Sequence, residues 1–309
     1  MTPGSSRPAV AVLLAAYNGL SWLPQQVTSI LAQEGVDVTL FVSLDLSTDG
    51  SWEWLQALAN AEPKVRLLDY GERFGGAAKN FMRLVRDVDF AAFDHVALSD
   101  QDDLWLPEKL LRAHTVLLQT QACGYSSNVV AFWPSGKTKL VDKAQAQRRW
   151  DFLFEAAGPG CTYVLSRALA QAFKTLVAAR WDEVQKIGLH DWFIYAFARA
   201  RGDRWTIDPT PGLRYRQHAN NQVGVNQGWP AFKIRAKKIW SGWGMSQSRL
   251  IAELVGVQDE PFVKSWGNGQ RRGLLTLALQ AGQCRRRWRD RVVFVILCLA
   301  LAAKGRPVP

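Results

Sequence analysis

The chain has 309 residues, of which 48% are hydrophobic and 21% charged. This balance excludes a disordered or fibrous chain, and four cysteines without a CxxC pair exclude a disulfide-rich scaffold and a zinc ribbon. The net charge of +11 is confined to one end, because residues 1–232 hold 23 basic and 23 acidic side chains, whereas residues 233–309 hold 15 basic and 4 acidic ones.

The first third of the chain alternates between short apolar runs, which predict strands, and segments of helical period, which predict helices. The predicted strands are Val10–Ala16, Val38–Leu44, Val65–Leu68 and Val96–Leu98, and the predicted helices are Leu20–Gln33, Ser51–Asn60 and Ala77–Val88. This repetition predicts an α/β fold with a mostly parallel central sheet and flanking helices. Ligands of such sheets bind beyond the carboxyl ends of the strands.

The pattern continues beyond Pro107 with less regular spacing. It predicts a helix to Leu118, helices that begin at Ser166 and near His190, and strands at Asn128–Trp133, Cys161–Leu165, Trp205–Ile207 and Leu213–Tyr215. From Asn220 the pattern loosens into a glycine- and tryptophan-containing stretch. We therefore predict one α/β domain over residues 1–225 and a mainly helical, basic extension over residues 226–309.

An acidic cluster, Ser99-Asp100-Gln101-Asp102-Asp103, directly follows the fourth predicted strand. Three carboxylates so close together repel one another strongly in a medium of low dielectric unless a cation offsets their charge. A divalent metal held by carboxylate oxygens and substrate phosphates would do so. The alternative is a solvated acidic turn that caps the next helix, but the position after a buried strand favours the metal site.

Two further segments lie where a nucleotide could bind. Asp45, after the second strand, can accept a hydrogen bond from a nucleobase imide, while Asp49 or Ser51 caps the next helix. The run Gly75–Asn80 begins the third helix, where small residues let backbone N–H groups approach phosphate, although such a start is often only a turn. The motifs GxGxxG and GxxxxGK[ST] are both absent from the sequence, which disfavours a dehydrogenase and a P-loop ATPase.

The second half offers a candidate base and a basic segment. Asp191, at the start of a helix, could act as a general base towards a hydroxyl, or it could only cap the helix. Arg214-Tyr215-Arg216-Gln217-His218 could steady a diphosphate or complete a metal shell, or it could be a basic loop.

Six segments together resemble family 2 glycosyltransferases, in particular the rhamnosyltransferase-like branch that builds bacterial surface polysaccharides. They are Tyr17-Asn18-Gly19, Asp45–Ser51, Asn80-Phe81, Ser99–Lys109, His190-Asp191-Trp192 and Tyr215–His218. The resemblance covers residues 8–225, and the Ser99–Lys109 run is its most specific part. It implies a GT-A fold, a nucleotide-sugar donor, a divalent metal held through the DxD element, and inversion at the anomeric carbon.

The resemblance also implies a role for each matching residue. Asp191 would be the catalytic base, and a magnesium or manganese ion would be held by Asp102, Asp100 and His218. The donor would be bound by Tyr17, Asn18, Asp45, Asn80, Asp100, Arg214 and Arg216. The sequence departs from the family pattern at Leu44, where an acidic residue is usual, and at Leu46, where glycine is usual.

The implied reaction moves a sugar from a dTDP- or UDP-sugar to a hydroxyl of a glycan or lipid-linked acceptor in cell-surface polysaccharide (O-antigen) synthesis. For the rhamnosyltransferase-like branch the donor would be dTDP-rhamnose. Two alternatives remain open. A sugar-1-phosphate nucleotidyltransferase should carry a glycine-rich loop after the first strand, where Ala15-Ala16-Tyr17-Asn18 stands instead. A non-catalytic scaffold of an assembly complex would not need both Asp102 and Asp191.

The basic end carries a run of twelve apolar or small residues, Val292–Ala303, flanked by Arg289, Arg291, Lys304 and Arg306. It is too short to cross a bilayer but suited to an anionic membrane surface. The alternative is a helix packed against the rest of the protein. A nucleic-acid partner is not expected, because no DNA- or RNA-binding motif is present. We predict a cytoplasmic protein, peripheral on the inner face of the cytoplasmic membrane.

Overall fold

The computed structural model describes residues 7–218, 242–267 and 269–303. Two compact units divide them: the first comprises residues up to 144 with 158–191 and 203–218, and the second comprises 145–157, 192–202 and the residues from 242 onwards. The predicted boundary at residue 225 lies outside the described residues. Two segments from its N-terminal side, 145–157 and 192–202, belong to the second unit.

The first unit contains two β-sheets. Its strands are β1 (Ala9–Ala16), β2 (Asp37–Leu44), β3 (Val65–Leu67), β4 (His95–Ser99), β5 (Leu104–Trp105), β6 (Gly124–Ser127), β7 (Val129–Phe132), β8 (Thr138–Val141), β9 (Val164–Ser166), β10 (Trp205–Asp208) and β11 (Leu213–Arg216). The larger sheet has the order β10-β6-β9-β4-β1-β2-β3, and the smaller one has the order β5-β11-β7-β8. In the larger sheet only β9 runs antiparallel to its neighbours. The predicted mostly parallel sheet is therefore confirmed.

The helices follow the predicted alternation. They are α1 (Leu23–Leu31), α2 (Ser51–Ala61), α3 (Ala77–Asp87), α4 (Lys109–Thr120), α5 (Arg167–Ala179), α6 (Trp181–Val184), α7 (His190–Ala200), α8 (Trp243–Leu254), α9 (Pro261–Gly267), α10 (Arg271–Leu279), α11 (Ala281–Cys284) and α12 (Trp288–Ala303). Pro24 lies in the first turn of α1, where its missing N–H costs little. Ser166 caps α5 by accepting a hydrogen bond from the Leu169 N–H at 3.3 Å. No described helix is both long and apolar enough to cross a bilayer.

Strand β1 lies inside the larger sheet, between β4 and β2, and is apolar on both faces. Val10, Val12 and Leu14 on one face join a buried cluster with Val27 and Ile30 of α1. A parallel strand covered on both sides must be apolar at successive positions, which explains why this run carries no polar residue. The packing fixes β1, and with it the loop that leaves its carboxyl end.

Two predicted strands differ from the structure. The predicted strand Asn128–Trp133 is preceded by an unpredicted strand, β6, and Asn128 separates β6 from β7, which belongs to the other sheet. The predicted strand Cys161–Leu165 begins instead with a 3₁₀ turn at Gly160–Thr162, and extended pairing starts only at Val164. Both differences arise because pairing partners distant in the chain, rather than local composition, decide which residues extend.

The second unit is built around aromatic side chains and one buried carboxylate. Trp266 is fully buried beside Phe154, and Trp150 stacks on Phe262 with ring centroids 4.7 Å apart. Asp151, also fully buried, accepts hydrogen bonds from Tyr195 Oη, Arg199 Nη1 and Arg286 Nη1 at 3.0–3.2 Å. These contacts compensate a charge that would otherwise be very costly to bury.

Candidate active site

Three neighbouring strands, β4, β1 and β2, run parallel and end at the same edge of the larger sheet. Tyr17 and Asn18 follow β1, and their loop is tied to the loops beside it. The Tyr17 N–H donates to Gln101 Oε1 at 2.8 Å, and Gln101 Nε2 donates back to the Tyr17 carbonyl at 3.1 Å. The Thr48 N–H donates to Asn18 Oδ1 at 2.9 Å. The loops that carry the predicted site residues thus form one connected surface.

Asp100 lies where the charges of the site meet. Burial, together with the nearby negative charges of Asp102 and Asp191, raises the pKa of its carboxyl to about 7. Like charges shift one another's pKa in this way only at short range. Asp191 is far from the acidic cluster in sequence, and the fold brings it close enough to Asp100 for their charges to interact.

Asp103 and Cys161 complete the buried side of the cluster. The thiol of Cys161 lies beside the carboxyl groups of Asp100 and Asp103, and ligand atoms of these three residues lie within 4.8 Å of one another. Burial and the neighbouring carboxylates raise the pKa of Asp103 and that of the Cys161 thiol well above their usual values. Cys161 therefore stays a neutral thiol.

His218 faces Asp102 from the end of β11. Its Nε2 lies 2.6 Å from Asp102 Oδ2, and its ring stacks on Trp22 with centroids 4.2 Å apart. The stacking fixes the plane of the imidazole, so that one nitrogen points at the carboxylate. Two of the predicted metal ligands therefore lie in direct contact.

The two predicted arginines of β11 have different surroundings. Arg216 binds the acidic cluster: its N–H donates to Asp103 Oδ1 at 3.2 Å, and its Nε donates to the Asp102 carbonyl at 2.9 Å. The guanidinium of Arg214 is exposed and lies 4.8 Å from the centroid of the Phe132 ring. Arg216 thus positions the loop that holds the acidic residues.

Asp191 lies in the first turn of α7, beside the buried ring of His190. That ring stacks on Phe81 with centroids 4.0 Å apart, and burial lowers the pKa of His190 to about 3. A Cβ on Gly160 would lie 2.5 Å from His190 Nε2 and 3.2 Å from the Cβ of Asp191. The close approach of the 3₁₀ turn therefore requires glycine at this position, and the turn supports the residue predicted to be the base.

Asp45 and Asn80, both predicted to bind the donor, are buried and make contacts within the protein. Asp45 accepts hydrogen bonds from the backbone N–H groups of Leu46, Phe74 and Gly75 at 2.8–2.9 Å. Asn80 donates through Nδ2 to two strand-end carbonyls, and its Oδ1 has no hydrogen-bond partner among the described residues. Asp45 thus holds in place the glycine-rich segment that leads into α3.

The sequence placed Asp103 in the acidic cluster without giving it a role of its own, and it did not identify Cys161 or Lys109 as members of this site. The Lys109 side chain is buried, its Nζ lies 3.6 Å from the ring centroid of Trp105, and burial lowers its pKa to about 7. Lys109 is the last residue of the Ser99–Lys109 run, the most specific part of the family resemblance. This position was the sequence signal that the lysine belongs to the site. Nothing in the local sequence marks Cys161, which reaches the cluster only through the 3₁₀ turn.

The residues present fit a hard divalent cation. Asp100 and Asp102 offer carboxylate oxygens. Burial and, after it, the charge of Asp102 raise the pKa of Asp100, and a bound cation would relieve this repulsion. The buried Asp103 Oδ2 has no hydrogen-bond partner among the described residues. His218 Nε2, in contact with Asp102, could add a nitrogen ligand; the ligand atoms within 4.8 Å of one another belong to Asp100, Asp103 and Cys161, whose neutral thiol is a poor ligand for magnesium or manganese.

Comparison with known proteins identifies the family. The sequence profile of glycosyl transferase family 2 matches residues 11–172, which include the acidic cluster and the Gly160–Thr162 turn. The chain belongs to glycosyl transferase family 2. This family 2 glycosyltransferase is therefore an enzyme that uses a nucleotide-sugar donor, and the nucleotidyltransferase and scaffold alternatives are set aside.

Curated relatives match more of the chain than the family profile does. This glycosyltransferase is 41% identical over 289 residues to the dTDP-rhamnosyl transferase RfbG of Shigella flexneri, a match that covers 93% of the chain and 99% of the relative. It is also 24% identical over 217 residues to the uncharacterized glycosyltransferase alr2836 of Nostoc, covering 69% of the chain and 52% of that protein. The rhamnosyltransferase-like resemblance is thereby confirmed.

Solved structures share the fold of this glycosyltransferase at low identity. Staphylococcus aureus TarS, crystallised with UDP-GlcNAc, matches with a TM-score of 0.55 at 13% identity, over 97% of this chain and 81% of the other. The mannosyltransferase PcManGT of Pyrobaculum calidifontis, in complex with GDP-Man and Mn²⁺, matches with a TM-score of 0.50 at 16% identity, over 97% of this chain and 88% of the other. The predicted GT-A fold is confirmed.

Proposed function

We propose that this enzyme transfers L-rhamnose from dTDP-rhamnose to a hydroxyl of a glycan or lipid-linked acceptor in the synthesis of a cell-surface polysaccharide. The observation that carries the proposal is the 41% identity to a dTDP-rhamnosyl transferase, which extends over 93% of the chain. Because the match covers the C-terminal region as well as the catalytic fold, it supports a shared donor and not only a shared family.

In the proposed reaction Asp191 acts as the general base. Its carboxylate takes the proton of the acceptor hydroxyl while that oxygen attacks the anomeric carbon of the sugar. The bond from the anomeric carbon to the diphosphate breaks on the opposite face, so the configuration inverts and the nucleoside diphosphate leaves. The charge interaction of Asp191 with Asp100, one of the residues proposed to hold the donor and the cation, supports this role.

The leaving diphosphate gains negative charge as the bond breaks, and basic groups near it lower the barrier. We propose that Asp100, Asp102 and His218 hold a divalent cation, which when bound neutralises that charge. A nitrogen ligand favours manganese over magnesium, since transition metals accept imidazole more readily. Arg216 keeps the acidic loop in place through its two contacts at 2.9 and 3.2 Å.

The donor assignment is tested with the purified full-length chain, Mn²⁺ and a panel of nucleotide sugars that includes dTDP-rhamnose, dTDP-glucose, UDP-glucose and UDP-N-acetylglucosamine. Release of the nucleoside diphosphate is measured with and without a lipid-linked glycan acceptor. We expect release from dTDP-rhamnose to exceed that from the other donors and to increase with acceptor. Consumption of a UDP-sugar in its place would overturn the rhamnose assignment while leaving the glycosyltransferase intact.

We also propose that the C-terminal part attaches to anionic lipids on the inner face of the cytoplasmic membrane. The charge distribution supports it, because residues 233–309 hold 15 basic and 4 acidic side chains while the rest of the chain is neutral. A lipid-linked acceptor would lie at such a surface, so attachment would bring enzyme and acceptor together.

A further inference from the structure

Helix α12 is apolar on every side from Val292 onwards, but in the second unit it is covered on one side only. Phe294, Cys298, Leu301 and Ala302 are buried against the unit. A helix that is apolar all round is normally enclosed all round. The uncovered side of α12 therefore needs a partner.

The uncovered side forms a continuous stripe. Trp288, Val292, Ile296 and Leu299 are 46–67% exposed, and their spacing of four, four and three residues places them along one face of the helix. Ala303 continues the stripe and is exposed as well. Scattered exposed apolar residues are ordinary, but five in register on one helix mark an interaction surface.

Helix α10 packs beside α12 and exposes apolar side chains of its own. Leu275 and Leu279 are 38% and 89% exposed and lie one turn apart. Arg271 is exposed one turn before Leu275, with Arg272 exposed next to it. The exposed apolar residues of α10 and α12, with the arginines at their margin, are called the apolar face below.

The charge around this face identifies the partner. Residues 271–303 contain seven arginines and one acidic residue, Asp290. Arg285, Arg286 and Arg291 are committed internally, because they donate to the carbonyls of Phe154, Ala156 and Arg285. Arg271, Arg272 and Arg289 are exposed. A second copy of the chain would bring the same positive charge to the contact and be repelled.

We infer that the apolar face of α10 and α12 docks on an anionic phospholipid surface, with Trp288 at the level of the headgroups and the exposed arginines on the lipid phosphates. Apolar side chains enter the acyl boundary while cations pair with anionic headgroups, and stable attachment needs both. Tryptophan favours the interface between membrane and water. The inference rests on the membrane part of the proposed function and is independent of the donor assignment.

The test is flotation of the full-length protein with vesicles of phosphatidylcholine alone or mixed with phosphatidylglycerol, at low and high salt. The wild-type chain should bind the mixed vesicles and should bind less at high salt. The double variant Ile296→Glu/Leu299→Glu should bind at least about tenfold more weakly, because each substitution removes an apolar side chain whose burial in the lipid favours binding. Leu118→Glu/Leu140→Glu, which adds the same charges at exposed leucines of the first unit, should bind like wild type.

The electrostatic contribution to binding is tested with two triple variants, one on the apolar face and one control. Arg271→Gln/Arg272→Gln/Arg289→Gln should lose about a hundredfold in affinity at low salt, since each cation near an anionic surface contributes about fivefold. Lys64→Gln/Lys137→Gln/Lys139→Gln removes three exposed cations from the first unit and should lose far less. Circular-dichroism melting curves of all variants report whether the fold is retained.

The results distinguish a failure of the docking face from a failure of membrane attachment. If the wild-type chain does not bind the mixed vesicles at low salt, both membrane attachment and the docking face are wrong. If it binds and Ile296→Glu/Leu299→Glu binds as well as its control, attachment stands and the face is wrong. If light scattering shows a dimer that this variant converts to a monomer without loss of flotation, the face belongs to a second copy and the inference is overturned.

Discussion

His218 Nε2 lies 2.6 Å from Asp102 Oδ2, although 116 residues separate the two along the chain. Strand β11 brings the imidazole to the acidic cluster, and stacking on Trp22 holds it there. The contact joins two of the residues proposed to hold the cation, at the edge where β4, β1 and β2 end. The first predictions below test this edge.

Asp102→Asn should weaken binding of dTDP in the presence of Mn²⁺ by at least about tenfold, because the variant loses the carboxylate charge that would hold the cation. Titration calorimetry with and without the metal measures the effect. Asp37→Asn, at an exposed position at the start of β2, serves as the control. Equal dTDP affinity in Asp102→Asn and Asp37→Asn would exclude Asp102 from the metal site.

Asp191→Asn should lower turnover by about 10²–10⁴-fold while dTDP affinity changes little, because a positioned base acts on the acceptor proton and not on the nucleotide. Steady-state transfer rates and dTDP titrations are measured on the same preparation. Asp182→Asn, an exposed residue nearby in the chain, should retain normal turnover. A variant at position 191 with full transfer activity would remove Asp191 from the mechanism.

Gly160→Ala should lower the free energy of unfolding by about 1–3 kcal/mol, because overpacking forces neighbouring groups to move. The new Cβ would lie 2.5 Å from His190 Nε2 and 3.2 Å from the Cβ of Asp191, so transfer activity should fall as well. Gly282→Ala, whose Cβ would meet nothing within 4 Å, should leave both properties unchanged. Denaturant unfolding and transfer rates check the pair, and a fully active Gly160→Ala would show that the turn does not support the base.

The buried histidines should make the protein less stable in acid. Burial lowers the pKa of His190 to about 3, and burial with the charge of His114 lowers that of His95 to about 4. An unfolded histidine has a pKa of about 6.5, so below that pH the unfolded chain binds protons that the folded one does not. The two histidines contribute no pH dependence above pH ~6.5, and below it, down to its folded pKa, each lowers the free energy of unfolding by about 1.4 kcal/mol per pH unit.

Urea unfolding at neutral pH and at pH ~5 measures this dependence, and His190→Phe should reduce the loss by about 2 kcal/mol relative to wild type. The ring of the variant can keep the stacking contact on Phe81 but cannot bind a proton. His95→Gln should reduce the loss by a similar amount. A wild-type pH dependence in both variants would mean that neither buried ring remains uncharged in acid.

Arg286→Ala should destabilise the protein by about 3–5 kcal/mol, because it leaves the buried carboxylate of Asp151 without one of its partners. Arg286 Nη1 donates to that carboxylate at 3.2 Å, and its side chain is 1% exposed. Arg271→Ala, at an exposed arginine of α10, should change stability by less than about 0.5 kcal/mol. Calorimetric melting compares the two, and equal melting curves would show that the Asp151 network is not structural.

The sequence by itself determined the alternating strands and helices, the parallel core around β1 and the acidic residues after β4. These features follow from local pattern, because a strand buried on both faces must be apolar at successive positions and polar residues collect where strands end. The predicted bounds of α2 and α3 differ from the structure by a single residue at their C-terminal ends. The cap at Ser166 was likewise readable from residue type alone.

Only the tertiary structure decided which distant residues share the site. Cys161 reaches Asp100 and Asp103 through a 3₁₀ turn where composition predicted a strand, and Asp45 binds the N–H groups of Phe74 and Gly75. Packing also turned Arg286 inward onto Asp151, although in sequence it belongs to an unbroken basic run. Local pattern reports which residues prefer burial or extension, whereas the partner of a buried charge is chosen by the whole fold, because only there does its desolvation have to be compensated.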